Sequence, residues 1–234
     1  MCEISIILPV YNQADHVEQV IDQYLTALSG LRYEFELILV VNGNRDGSLS
    51  CCQRMSAKEP TRIRTIISQP GWGKAVRTGL AEAKGETLCF TNLARTPPEI
   101  LVAHIVVAMA NPDYVIKANR KVRQSLIRKI GTVLYNFECR FLFELPTWDV
   151  NGTPKVFGRK LPFLSRLRED GDLLDVEFIV RCRNEGITIL EMPIVASTRH
   201  GGESTTNYRS AIRMYLGAAR LSRSMNRNRT RPRG

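Results

Sequence analysis

Short runs of β-branched and apolar residues alternate with amphipathic stretches through the first half of this chain, and no other feature restricts its fold as strongly. Ile4–Val10, Phe35–Val41, Arg62–Ile67, Thr87–Thr91 and Tyr114–Lys117 have the length and composition of strands. Helices are expected between them, near Asp15–Leu28, Ser48–Ala57 and Lys74–Ala83 and after Pro97-Pro98. This order predicts an α/β fold, a mostly parallel, Rossmann-like sheet flanked by helices. In such sheets ligands gather at the carboxyl ends of the strands. The residues found there are Pro9 to Gln13, Asn42 to Ser48, Gln69 to Lys74, Thr91 to Arg95 and Lys117 to Arg120, all polar or glycine-rich.

With 234 residues, 44% of them hydrophobic, the chain has material for one substantial core. The boundaries expected are a domain over 1–205, a basic amphipathic helix over 206–225 and an Arg-rich, disordered tail over 226–234. The formal charge of +10 points at first to nucleic acid, but the excess lies at one end. No acidic residue follows Glu203, while eight arginines do, from Arg209 to Arg233, and the body without them carries only +2. A single aromatic residue, Tyr215, falls among those arginines, too few for a stacking platform, which argues against a nucleic-acid binder. Six cysteines without metal-ligand spacing read as reduced thiols. The opening MCEISIILPV has neither the basic start of a leader nor the length of a spanning helix, so a cytoplasmic protein is expected, or one peripheral to the inner face of the membrane.

Six segments in order carry a family likeness: SIILPVYNQ, ILVVNGNRDGS, GWGKAVRTGLAEAKGE, a PPE after the fourth strand, LDVEFIVRCRNEGITILEMPI and RHGGES. Together they resemble the family 2 glycosyltransferases of GT-A fold, in particular the dolichyl- and polyprenyl-phosphate sugar synthases. The resemblance implies an inverting transfer of a hexose from a UDP- or GDP-linked donor, with a lipid phosphate as acceptor. It places Pro9, Tyr11, Asn12, Gln13, Asn42, Asn44, Lys74, Arg77, Thr91, Asn92, Arg199 and Ser204 around the donor. Where the family has Glu and an Asp pair, this chain has Gln13 and Val41-Asn42, and an amide accepts a hydrogen bond without charge assistance. Read alone, NGNRDG is equally a strand-ending turn.

A larger departure falls just before Pro97-Pro98-Glu99, where the family carries Asp-x-Asp and, two residues on, Gln. Thr91, Leu93 and Arg95 occupy those positions. Mg²⁺ or Mn²⁺ needs hard oxygen ligands, and Leu93 has none, so no metal ligand is assigned. Arg95, supported by Arg199, is expected to stabilise the leaving diphosphate instead. The alternative is a catalytically inactive GT-A domain that binds nucleotide or a partner protein.

On the acceptor side, the resemblance assigns Arg120, Arg128, Thr132 and Asn136 to a phosphate, and the last three share one helical face at i, i+4 and i+8. Asp175 and Glu177, with Asp149 behind them, are the candidates for a catalytic base. Both could equally serve as helix N-terminal carboxylates. Arg209, Arg213, Arg220, Arg223 and Arg227 line one side of a helix, with Ala211, Met214, Tyr215, Ala218, Leu221 and Met225 opposite. That pattern reads either as a contact with an anionic membrane or as a helix packed on its own domain.

Overall fold

The computed structural model describes residues 2–43, 45–122, 126–195 and 214–223, and the side chains of 121–132 lie outside that description. Strands β1 (Ile4–Val10), β2 (Phe35–Val41), β3 (Ile63–Ile67) and β4 (Thr87–Phe90) alternate with helices α1 (Val17–Leu28), α2 (Ser48–Lys58) and α3 (Trp72–Glu82). Then come α4 (Pro98–Ala110), β5 (Val115–Val122), α5 (Leu126–Phe143), β6 (Lys155–Gly158), α6 (Leu174–Asn184) and β7 (Ile189–Val195). A further helix, α7, covers 214–223.

The seven strands form one sheet in the order β3-β2-β1-β4-β6-β5-β7. All pairings are parallel except those of β6, which runs antiparallel between β4 and β5. Every residue of β1 and β2 is buried, as expected for parallel strands covered on both faces. Alternate residues divide the core. Ile7, Ile38, Val40 and Phe90 join α3, α5 and α6 on one side, whereas Ile6, Leu8, Leu37 and Leu39 join α1, α2 and α4 on the other.

Pro9 occupies a central strand without breaking the ladder. The carbonyl of Ile7 accepts the Thr91 N–H at 3.2 Å, so residues 7 and 9 both turn their backbone toward β4, and β4 ends at Phe90. The missing N–H of Pro9 therefore lies just past the end of its neighbour, where nothing requires it. Helix α3 crosses β1 and β2 closely at Gly79, where a Cβ would stand 2.4 Å from Ile7 Cγ2. Beneath α6, Phe178 meets Phe90, Phe157 and Phe163 at centroid separations of 5.6, 4.8 and 5.3 Å. This aromatic floor lies under the carboxyl end of β4.

The described part of the expected basic helix packs on the domain. Ala218 and Leu221 are buried, and Tyr215 meets Tyr135 of α5 edge to face at 5.5 Å. Arg220 and Arg223 remain exposed. The rest of the segments 206–225 and 226–234 lies outside the described residues.

Candidate functional site

The loops after β1 and β2 are tied to each other. Gln13 N donates to Ser48 Oγ at 2.7 Å, and Ala14 N donates to Asp46 Oδ2 at 2.8 Å. Asp46 also accepts from Ser48 N and Oγ, opening α2. Burial presses the Asp46 carboxyl upward, but the hydrogen bonds from Ser48 and Ala14 prevail and hold it below its ordinary range. Asn12 adopts φ 48° and accepts from Arg45 N at 3.0 Å. Tyr11 lies against Gly43, where a Cβ would sit 2.4 Å from two ring carbons. Asp46 and Ser48, to which the sequence reading gave no role, thus brace these two loops.

Two buried oxygens in this region have no hydrogen-bond partner among the described residues, Gln13 Oε1 and Asn42 Oδ1. Asn42 is fixed in orientation because its Nδ2 donates to Gly71 O at 3.1 Å. A carboxylate there would set two acceptors against each other, so the amide fits this turn. An unpaired buried acceptor costs about 1–3 kcal/mol, and a ligand N–H or O–H would remove that cost. Pro9 contributes its ring to the buried strand.

At the amino end of α3 two groups, the Lys74 amide and the Arg77 guanidinium, donate to the chain itself. Lys74 N donates to Asp170 O at 2.9 Å. Arg77 donates to Arg168 O at 2.6 Å and Asp170 Oδ1 at 2.7 Å. The close approach needs glycine: a Cβ on Gly73 would stand 2.2 Å from Glu169 O, and one on Gly71, at φ 134°, would stand 2.4 Å from Asp170 O. Lys74 N and the Arg77 guanidinium therefore clamp the 168–171 loop. These contacts arise because a segment about ninety residues away packs on this helix end.

Among residues 91–95 the oxygens are also engaged. Thr91, fully buried, shares a hydrogen bond with Thr96 Oγ1 at 2.7 Å, and Asn92 Oδ1 accepts from Ala94 N at 3.1 Å. Leu93 is fully buried in the core beside Leu101 and Ile105. Arg95 is exposed and engaged in contacts of its own. A divalent cation does not fit this loop, since its two hydrogen-bonding side chains are committed and its third is hydrocarbon. Among the described residues, no three His, Cys, Asp or Glu side chains come together as a metal site.

All three candidate bases are buried and held by cations or N–H groups. Asp149 accepts Arg120 Nε at 2.6 Å and Nη2 at 2.8 Å in a bidentate pair, with Arg120 N at 3.1 Å. Asp175 accepts Trp72 Nε1 at 3.0 Å through one oxygen and pairs with Lys155 Nζ through the other. Glu177 accepts Arg168 N and Glu169 N on one oxygen and Arg181 Nε and Nη2 on the other, at 2.7–2.9 Å. With both oxygens doubly engaged, Glu177 pins the 168–169 loop to α6.

Trp72, Lys155 and Glu191, which the sequence alone did not single out, join Lys117 around the candidate bases. Lys155 is wholly buried, with Nζ 5.4 Å from the Phe90 ring centroid. Lys117, its partner across β5 and β6, donates to Asp149 O at 2.5 Å and to Glu191 Oε1 at 2.7 Å. Burial and the neighbouring Lys155 push the Lys117 ammonium down to about 8 against the pull of Glu191 and Asp149. Glu191 also receives Trp148 N at 3.0 Å. A lysine three positions after a glycine, alone in a four-residue strand, carries no sequence signal of such burial. On α5, Asn136 Oδ1 accepts Val150 N at 3.0 Å, holding the loop that carries Asp149. The side chains of Arg128 and Thr132, and the whole of Asn44, Arg199 and Ser204, lie outside the described residues.

The fold recurs in known proteins. The chain is 25% identical over 136 residues to the undecaprenyl-phosphate 4-deoxy-4-formamido-L-arabinose transferase of Pseudomonas fluorescens, covering 57% of this chain and 40% of the relative. It is 25% identical over 121 residues to the dolichol-phosphate mannosyltransferase of Pyrococcus furiosus, covering 52% and 34%. These matches thus span about two-fifths or less of the relatives' own length. Among solved structures, glucosyl-3-phosphoglycerate synthase from Mycobacterium tuberculosis superposes with a TM-score of 0.69 at 16% identity, covering 94% of this chain and 80% of that one. That likeness extends to the GT-A fold alone. Residues 5–161, some two-thirds of the sequence, match the family model of glycosyl transferase family 2, and the chain belongs to that family.

Proposed function

We propose that this chain transfers a hexose from a nucleotide diphosphate sugar to an acceptor that is already an anion, a polyprenyl phosphate, with inversion at the anomeric carbon. The observation carrying this reading is the state of Asp149, Asp175 and Glu177, each held at both oxygens. A hydroxyl acceptor must lose a proton to a base, whereas a phosphate oxygen is a nucleophile needing only placement. In the proposed step that oxygen bonds to the anomeric carbon as the bond from the same carbon to the diphosphate breaks. The nucleoside diphosphate leaves with its electron pair, and no proton moves.

Arg120 is the acceptor contact best supported by geometry. Asp149 grips its Nε and Nη2, which fixes the plane of the guanidinium and leaves its outer N–H groups for phosphate. The Asp149 carboxylate thereby acts as a positioning group. Gln13 and Asn42 hold unpaired acceptors for the base and ribose of the donor, with Tyr11 beside them. Arg95 supplies positive charge at the carboxyl end of β4, in place of the cation that its loop does not accommodate.

A nucleotide-binding domain without catalysis is the second reading, favoured by the buried Leu93 and by the 168–171 loop lying across α3. Calorimetric titration of UDP, GDP and their hexose conjugates in EDTA, then in Mn²⁺, combined with transfer to a short-chain, water-soluble prenyl phosphate, separates the two. Donor binding and transfer that persist in EDTA are expected. Activity abolished by chelator and restored by Mn²⁺ defeats the metal-free mechanism, and binding without transfer establishes the second reading.

A further inference from the structure

Helix α5 is apolar on both of its sides. Its inner side buries Tyr135, Cys139 and Phe143 in the core. On its outer side stand Val133 at 59% exposure, Leu134 at 55%, Phe137 at 68% and Phe141 at 78%. Positions 133, 137 and 141 fall on one stripe of the helix. Trp148, 63% exposed, is drawn to the same helix by Arg140, whose guanidinium lies 3.9 Å from the ring centroid. The three aromatic side chains alone expose roughly 400 Å², comparable to the largest apolar patch of an ordinary monomer. A helix that is hydrophobic all round belongs inside something.

Charge identifies the occupant. Within α5 the sequence carries Arg128, Lys129 and Arg140 against a single acid, Glu138. Apolar and aromatic side chains with Arg140 among them, on a helix whose sequence is net basic, match a bilayer surface with anionic headgroups. No helix among the described residues is long and apolar enough to cross a membrane, so contact is with the surface. Ala218 and Leu221 of α7 are already buried against the domain, which removes the described part of its apolar side as the lipid contact.

We infer that the outer face of α5, with Phe137, Phe141 and Trp148 as its anchors, docks on an anionic lipid surface. This inference rests on the polyprenyl-phosphate reading, because the opposite side of the same helix places Asn136 against the Asp149 loop. Docking through α5 would set the proposed acceptor contacts at the lipid boundary, where the phosphate of a membrane-embedded prenol is found.

The test is sedimentation of the full chain with vesicles of phosphatidylcholine and phosphatidylglycerol in equal parts, alongside F137S/F141S, with Trp148 fluorescence recorded on the same samples. Thermal melts and sedimentation velocity without lipid serve as controls for folding and self-association. The wild type is expected to bind with a blue shift of its emission, and the double variant to bind about ten-fold more weakly or worse at an unchanged melting temperature. The inference is overturned if the wild type does not bind, or if both proteins bind equally. A dimer dissociated by the substitutions would also overturn it, assigning the face to a second copy. Transfer to the water-soluble prenyl phosphate isolates the underlying reading: transfer without vesicle binding sinks the docking alone, and vesicle binding without transfer sinks the acceptor assignment alone.

Discussion

Asp175→Asn separates a catalytic base from a structural anion. Asp175 offers one oxygen to Trp72 Nε1 at 3.0 Å and the other to Lys155, a side chain with no solvent exposure. Both neighbours are donors, so both need acceptors, and an asparagine has only one oxygen to give. The substitution leaves the buried ammonium without its counter-ion, a loss costing about 3–5 kcal/mol. In a chain of 234 residues, that corresponds to a fall of about 6–20 °C in Tm. Urea unfolding followed by circular dichroism measures it directly. Lys155→Met in the same chain removes the orphaned charge, so K155M/D175N should recover about 2 kcal/mol relative to D175N. Activity at low temperature, corrected for the folded fraction, should fall less than about ten-fold. Were D175N to melt within about 1 kcal/mol of wild type while losing transfer by about a thousand-fold or more, Asp175 would be a base and the anionic-acceptor argument would fail.

Glu177→Gln should cost about 2–3 kcal/mol by weakening the bonds from Arg181 and from the amides of 168 and 169, and hydrogen exchange at those two amides should accelerate. Gly43→Ala should push the Tyr11 ring aside, since the added carbon falls 2.4 Å from it. Calorimetry is expected to show about ten-fold weaker nucleotide binding, with stability changed by less than about 1 kcal/mol. Alkaline pH should destabilise the fold. Burial raises the thiols of Cys52 and Cys139 to about 12 and those of Cys89 and Cys182 higher still. Unfolded thiols lose their protons near their ordinary value of about 9 while folded ones keep them, so this stability is intact below that pH and lost above it. Lys117, lowered to about 8, works in the opposite sense between there and the unfolded value of about 10.5, gaining stability as pH rises. Four thiols against one lysine leave a net loss approaching about 4 kcal/mol per pH unit well above pH 9, measured by denaturant melts in reductant. A flat or rising stability from pH 9 to 10 would contradict the burial of those thiols.

Strand and helix positions in the first half were legible because each element announces itself locally. Every residue of Ile4–Val10 and Phe35–Val41 is apolar or buried, and Pro98 opens α4 where proline is tolerated. Strand β5 runs on to Val122, five residues beyond the expected end at Lys117, because pairing with β7 carries polar Asn119 and Arg120 along. The candidate site was legible as a set of loops and less so as chemistry. Arg120 and Asp149 were assigned separate roles, although they form one ion pair across twenty-nine residues. Lys74 and Arg77 sit in a suggestive GWGK segment, yet the loop that occupies them lies near Asp170. Such pairings depend on which strands become neighbours, and a four-residue antiparallel strand such as β6 carries too little pattern to announce its place.

That strand also partitions the molecule. By entering the sheet backwards between β4 and β5, β6 turns its first residue, Lys155, toward the carboxyl ends of both. The 149–154 segment is thereby delivered into the site from above, while β1 to β4 complete their pairing without it. The sheet consequently has a graft junction: among the described strands, β5 to β7 join β1 to β4 through the β4–β6 ladder, while the Trp72–Asp175 bond, the Phe90–Phe178 contact and the 168–171 loop tie the helices that follow β6 to α3 and β4. Recombination at that junction would alter what approaches the sheet's upper rim on one side and leave the Tyr11–Ser48 pocket on the other with its own bracing intact.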